Sequence, residues 1–222
     1  MSQLKQFFSS SIGKKLVMAI TGILLILFLI VHLINNLLLF GGPEVFNENV
    51  ARLDAIKPLI RVVEIILALI FIYHIYNALK LWWENKKANP KKYAVNANKE
   101  TSTIYSRTMV ITGSLIFIFL VIHLYTLWAK YNFGMDGSEE FYEVIKNLFT
   151  NPLWAAFYFI IMITIGFHMN HAFQSAFQTF GWSHKKYTPL VKKIGTVIAI
   201  IFAVGFASIP IYFFLISLGG QG

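Results

Sequence analysis

Apolar residues in this chain gather into five long stretches, about 16–40, 59–82, 108–128, 153–177 and 194–218, separated by short polar connections. Each covers the roughly 20 residues that a helix needs to cross the hydrocarbon core of a bilayer. The pattern predicts an all-α membrane protein of five transmembrane helices, forming a single transmembrane domain over residues 1–222. The first stretch does not read as a cleaved signal peptide. It is too long, it carries His32, Asn35 and Asn36 toward its far end, and no small-residue cleavage site follows it. Pro58, Pro152 and Pro189 stand at or just before helix starts, where a missing N–H is harmless, whereas Pro210 lies inside the fifth stretch and predicts a kink.

Composition excludes other classes. Hydrophobic residues make up 57% and charged residues 13%, about half the charged share of a soluble domain. With a mean hydropathy of +0.63, neither a soluble globule nor a disordered chain fits. Absence of cysteine excludes disulfides, thiol catalysis, cysteine-ligated zinc and iron–sulfur clusters on this chain.

The net charge of +9 would suggest nucleic acid in a soluble protein, but here its distribution points to a bilayer. Fourteen of the 19 basic residues precede the first span or lie between the second and third or the fourth and fifth. They are Lys5, Lys14, Lys15, Lys80, Lys86, Lys87, Lys91, Lys92, Lys99, Arg107, Lys185, Lys186, Lys192 and Lys193. The other side holds Arg52, Lys57, Arg61, Lys130 and Lys146 together with eight of the ten acids. The positive-inside rule therefore places the N-terminus in the cytoplasm and the C-terminus outside, with lipid and not nucleic acid as the surroundings. Trp82, Trp83, Trp128, Trp154 and Trp182 fall near predicted span ends, as an aromatic belt requires.

The first and third spans repeat one another. Residues 18–33, MAITGILLILFLIVHL, align with residues 109–124, MVITGSLIFIFLVIHL, at nine identical positions of sixteen and an offset of 91. The second and fourth spans share a weaker echo, His74-x-x-Asn77-Ala78 against His168-x-x-His171-Ala172, at an offset of 94. Similar offsets in alternate spans predict two parallel helical hairpins related by an axis along the membrane normal, with the fifth span outside the repeat.

Five of the six histidines lie within predicted spans: His32, His74, His123, His168 and His171. A lone membrane histidine is ordinarily an interhelical hydrogen-bonding residue, but here each of the first four spans carries one, and ionisable groups at membrane depth mark function. Their depths pair them. His32 is 17 residues beyond Lys15, and His123 is 16 beyond Arg107 on a parallel span. His74 and His168 are each 16 residues past the proline that starts an oppositely directed span, so they belong to the cytoplasmic half. At 1.5 Å per residue the two pairs are separated by about 12–15 Å along the normal.

Two imidazoles at equal depth on facing helices suit the two axial positions of a haem iron, with the macrocycle edge-on in the bundle. Phe28, Phe71, Phe117 and Phe119 are packing candidates, although an aromatic stripe at helical spacing also suits an ordinary core. Gly22 and Gly113 lie ten residues from His32 and His123, at the depth of the other pair, where a missing side chain either admits a macrocycle or serves close helix packing. A di-iron carboxylate bundle needs inward acids that these spans lack, and zinc or copper wants three or four ligands at one level.

On these residues the chain resembles the single-polypeptide, di-haem cytochrome b membrane-anchor subunit of succinate dehydrogenase and fumarate reductase. The likeness rests on Phe28-Leu-Ile-Val-His32-Leu33, Phe46-Asn47-Glu48, and Phe167-His168-x-x-His171-Ala172-Phe173-x-Ser175-x-x-x-Thr179-x-Gly181. The resemblance implies two haem b groups, a distal one on His32 and His123 and a proximal one on His74 and His168. It also implies a flavoprotein with FAD and an iron–sulfur subunit docked on the cytoplasmic face of a bacterial inner membrane. Menaquinone would react near the outer surface, and the chain itself would perform no dicarboxylate chemistry. His171, commonly Asn in relatives, and Arg107 become candidates for haem propionates or helix packing. Glu48 and Asp54 become candidates for quinone-linked proton exchange. Gly166 stands where some relatives carry a Glu used for proton passage, and Gln178 and Thr179 stand where some carry a Lys that meets a propionate. Two alternatives remain open from residues alone: the di-haem cytochrome b of another quinone-linked dehydrogenase, and a haem-free transporter with a histidine proton relay.

Overall fold

A computed structural model of the chain describes residues 3–88, 104–134 and 140–219; Lys91, Lys92 and Lys99 of the basic connection lie outside them. The described residues form helices and no strands. Helix α1 (Gln3–Ser9) precedes α2 (Ser11–Leu37), which ends in a 3₁₀ turn at Leu38–Gly41. Then follow α3 (Gly42–Ala55), α4 (Lys57–Ala88), and α5 (Ile104–His123), which continues as a π-helical segment over Leu124–Gly134. The chain ends with α6 (Phe141–Thr150), α7 (Pro152–Thr179) and α8 (Thr188–Gly219). Five segments, carried by α2, α4, α5, α7 and α8, are long and apolar enough to cross a membrane. Below, the near end is the one at which α2 begins.

Local chemistry explains the helix boundaries. Ser10 accepts the Gly13 N–H at 3.0 Å and so satisfies one of the free donors that open α2. Asn151 does the same for α7, accepting from the N–H groups of Leu153 and Trp154, with Pro152 in the first turn. Gly181, at φ +81°, closes α7, and the Trp182 N–H reaches back to the Phe177 carbonyl at 3.0 Å. Helix α8 runs on through the predicted kink site at Pro210, whose ring is fully buried. Two of the polar connections between spans are themselves helical, because α3 and α6 each present an apolar face. Phe46 of α3 and Tyr142, Val144, Ile145 and Phe149 of α6 are buried. Asn47 joins the two, donating to Glu140 at 2.5 Å and accepting the Tyr142 N–H at 3.2 Å.

Helix α2 packs on α4 and α7, α5 packs on α7, and α7 lies along α8, while α4 and α5 barely touch. Helices α2 and α5 thus face each other across one diagonal of four helices, and α4 and α7 across the other. In its most apolar window α4 has no buried residues, against 39% in α7 and in α8. The firm part of the structure is therefore the α7–α8 pair, with α4 on the periphery. Small residues make that pair close. A Cβ placed on Gly166 would lie 2.9 Å from the Ala203 Cβ and 3.2 Å from the Ala199 carbonyl oxygen. Between membrane helices such approach supplies the dispersion contacts that a hydrophobic effect cannot.

The α2–α4 seam is polar at its near end. The buried Asn77 amide donates to the Lys14 carbonyl at 2.7 Å, and the Lys14 ammonium, also buried, meets Glu84 at 2.5 Å.

Gly166→Ala should lower the stability of the folded chain in detergent by about 1–3 kcal/mol through overpacking. Gly219→Ala, where an added Cβ meets nothing within 4 Å, should leave it unchanged. Thermal unfolding followed by circular dichroism compares the two.

Candidate functional site

The two repeats build the same contact twice. On α2, Thr21 places its hydroxyl oxygen 3.0 Å from Nδ1 of His74 on α4. On α5, Thr112 places its hydroxyl oxygen 3.1 Å from Nδ1 of His168 on α7. The next residue in each helix is a glycine, and a Cβ there would lie 3.7 Å (Gly22) or 3.4 Å (Gly113) from Cε1 of the same imidazole. The Thr-Gly pair noticed as repeated sequence is therefore a seat for a histidine of the neighbouring helix: the hydroxyl takes one ring nitrogen, and the bare glycine lets the ring edge lie against the helix.

A second layer lies toward the far end. His32 of α2 and His123 of α5 face each other with ring centroids 5.9 Å apart and planes at 90°. Each ring stacks on the phenylalanine one turn before it, Phe28 at 5.3 Å and Phe119 at 5.4 Å. From α8, Phe206 closes over His32 at 5.6 Å. The Tyr158 hydroxyl stands 3.5 Å from Nδ1 of His123 and 3.1 Å from the Thr126 hydroxyl. Among the packing candidates Phe119 is buried, Phe71 half-buried, and Phe28 and Phe117 exposed.

Eleven residues separate Thr21 from His32 and Thr112 from His123, so the layers stand about 16 Å apart along the helices. The near layer spans the α4–α7 diagonal and the far layer the α2–α5 diagonal.

The far layer meets a simple test of fit to a metal held between two imidazoles. A metal–imidazole nitrogen bond is about 2 Å, so two rings sharing one metal from opposite sides have centroids roughly 6 Å apart. Among the described residues, no group of three or more histidines or carboxylates gathers around one point. Two nitrogen donors per layer is the count that haem, which brings four nitrogens of its own, asks of a protein.

The remaining candidates are dispersed. Arg107 is exposed on α5, five residues before Thr112, and His171 is half-buried one turn beyond His168. Glu48 lies on the exposed face of α3, paired with Arg52 at 2.7 Å. Asp54 accepts a hydrogen bond from Tyr131 of the π-helical segment and pairs with Lys57 at 3.1 Å. The same segment carries Trp128, whose Nε1–H donates to Glu64 at 3.0 Å, and Asn132, which bonds Arg61. It thereby ties the far end of α5 to α3 and α4.

Reasoning from residues passed over Thr21 and Thr112 as seats, Tyr158 as the neighbour of His123, and Glu64 as an acid inside the far end of α4. The repeat itself held the signal for the threonines. Nothing local marks Tyr158, whose role depends on how α7 meets α5.

Comparison with known proteins follows the same lines. Residues 84–208 match the succinate dehydrogenase/fumarate reductase transmembrane subunit family. The chain is also 26% identical over 179 residues to the succinate dehydrogenase cytochrome b558 subunit of Bacillus subtilis (strain 168), covering 80% of this chain and 82% of that one. No solved structure matches. The family match covers more than half of the chain, including both histidines of the α5–α7 repeat, and so this multi-pass membrane protein belongs to the succinate dehydrogenase/fumarate reductase transmembrane subunits, the cytochrome b anchors of those complexes.

Proposed function

We propose that this chain binds two haem b groups, one between His32 and His123 and one between His74 and His168, and connects an iron–sulfur subunit to a membrane quinone. The observation that carries this reading is the 5.9 Å separation of the His32 and His123 rings, which would let both imidazoles hold one iron. When bound, haem supplies reversible one-electron exchange inside the apolar bundle. The protein's part is to present imidazole nitrogens at two heights and to exclude water from both. Phe28 and Phe119 hold the far rings by stacking, and the two threonines hold the near rings by hydrogen bonds.

The near end faces the cytoplasm of a bacterial inner membrane, a reading supported by the concentration of basic residues there. That face docks the iron–sulfur subunit and, with it, a flavoprotein carrying FAD, which performs the dicarboxylate chemistry. Arg107 and His171, on the near side of the inner histidine layer, are candidate partners for haem propionates. Gly22 and Gly113 give the inner imidazoles room. The quinone, read as menaquinone, reacts at the far end, where two electrons must be matched by two protons. Of the two acids considered for that exchange, Asp54 is the better supported. Both acids are in ion pairs, but the hydrogen bond from Tyr131 connects Asp54 to the segment that continues directly from His123, whereas Glu48 pairs with Arg52 within the exposed face of α3.

A reduced-minus-oxidised spectrum of the purified complex, with a redox titration, tests the ligand assignment. His32→Ala and His123→Ala should each remove the same haem, and His74→Ala and His168→Ala the other. Loss of one and the same haem from His32→Ala and His74→Ala overturns the pairing.

Asp54→Asn should reduce quinone-linked turnover by about a hundredfold or more, the range of a lost proton-transfer group. Succinate oxidation by an artificial dye and the haem content should be kept, and Glu48→Gln should behave as wild type in the same assays.

A further inference from the structure

Thr21 and Thr112 have hydrogen-bonding arithmetic that goes beyond packing. Each hydroxyl owns one hydrogen. Thr21 Oγ1 stands 2.9 Å from the Val17 carbonyl oxygen and 3.2 Å from that of Met18, both in its own helix, as well as 3.0 Å from Nδ1 of His74. Thr112 Oγ1 stands 3.1 Å from the carbonyl oxygens of Thr108 and Met109 and 3.1 Å from Nδ1 of His168. Were Nδ1 to carry no hydrogen, a single hydroxyl hydrogen would have to serve a carbonyl lone pair and an imidazole lone pair at once, leaving two acceptors facing each other in a low-dielectric interior. With the hydrogen on Nδ1 both contacts are satisfied: imidazole donates to the hydroxyl, and the hydroxyl donates to the carbonyl behind it.

We infer that Thr21 and Thr112 are positioning residues that hold His74 and His168 in the Nδ1–H tautomer, leaving each Nε2 lone pair for iron, and that they set the electron-donating strength of both ligands of the inner haem. The inference rests on the bis-histidine reading above and deepens it. A hydrogen bond from the non-ligating N–H raises the basicity of a metal-bound imidazole. A more basic ligand favours the oxidised metal, so these hydroxyls lower the potential of the inner haem.

Both repeats supply the device, one threonine per ligand. The outer layer has a looser version, since the Tyr158 hydroxyl is 3.5 Å from His123 and is shared with Thr126. Gly22 and Gly113 complete the seat: with Nδ1 held and Cε1 against the helix, the ring is fixed in rotation as well as tautomer. The two haems therefore differ through their second contacts while sharing the same ligand type.

The test is a potentiometric titration of the intact membrane complex carrying Thr21→Val, Thr112→Val, or the corresponding Thr→Ser changes, with His74→Ala identifying the inner haem. Valine keeps the shape of threonine and removes the hydroxyl; serine keeps the hydroxyl. The expected result is an upward shift of the inner haem's midpoint potential in each valine variant, larger when the two are combined, with the outer haem unmoved and serine restoring the original value. Low-temperature electron paramagnetic resonance of the oxidised complex should show the matching change at one haem only. An inner-haem potential and resonance unchanged in the double valine variant overturn the inference while leaving the ligand assignment standing. Equal movement of both haems, or failure of serine to restore the potential, also overturns it. Retention of both haems in His74→Ala overturns the ligand assignment and this inference together.

Discussion

Polar atoms inside a membrane bundle have no water to turn to, and leaving one unpaired costs several kcal/mol. The arrangement of α2, α4, α5 and α7 follows from that constraint applied to four imidazoles. Each ring has two nitrogens, and in the near layer one of them is taken by a threonine of the adjacent helix. The hydroxyl is already near its own helix's carbonyl oxygens, so this contact adds no strand of loop and no break in the helix. It fixes the rotation of α4 against α2 and of α7 against α5. The second nitrogen is left for the ligand role proposed for these rings. Cofactor binding and helix packing are then one interaction viewed from its two ends.

The bundle divides its work between a rigid half and an open half. Helices α7 and α8 meet through Gly166, Ala199 and Ala203 at distances that exclude even a methyl group, and α8 closes over His32 through Phe206. Helix α4, by contrast, has its apolar window unburied and is held by the Thr21–His74 hydrogen bond and by polar contacts toward its two ends. Lys14, Glu84 and Asn77 hold it at the near end, and Arg61, Glu64, Trp128 and Asn132 hold it at the far end. Peripheral helices of this kind separate the placement of a ligand from the stability of the whole, since the ends fix position while lipid covers the rest. The tight α7–α8 contact also has a chemical consequence. At Gly166 the Ala203 methyl and the Ala199 carbonyl leave no volume for a larger, ionisable side chain.

The π-helical segment after His123 has a role in the same scheme. A wider turn advances side chains by a different angle from an α-turn, and such segments recur beside functional positions. Here it presents Thr126, Trp128, Tyr131 and Asn132 to Tyr158, Glu64, Asp54 and Arg61 respectively. The far histidine layer is thus continuous, through covalent chain and hydrogen bonds, with the acidic rim where a quinone would exchange protons.

Much of this was legible in the sequence because the bilayer imposes its rules residue by residue. Span number, the helical fold, the equal height of His32 and His123 and the level of Gly22 and Gly113 all follow from apolar length and a rise of 1.5 Å per residue, which do not depend on distant neighbours. The repeat flagged Thr21 and Thr112 without revealing their partners, since depth alone cannot say which face of α2 meets α4. The span pattern leaves helices α3 and α6 unmarked, because a short amphipathic segment becomes a helix only when another element covers its apolar side. The π-turn, the continuity of α8 through Pro210 and the approach of Tyr158 to His123 were likewise settled by tertiary contact. Heights in the membrane belong to the sequence, because each helix measures them along its own axis; rotations and neighbours belong to the folded bundle, because only two helices together can define them.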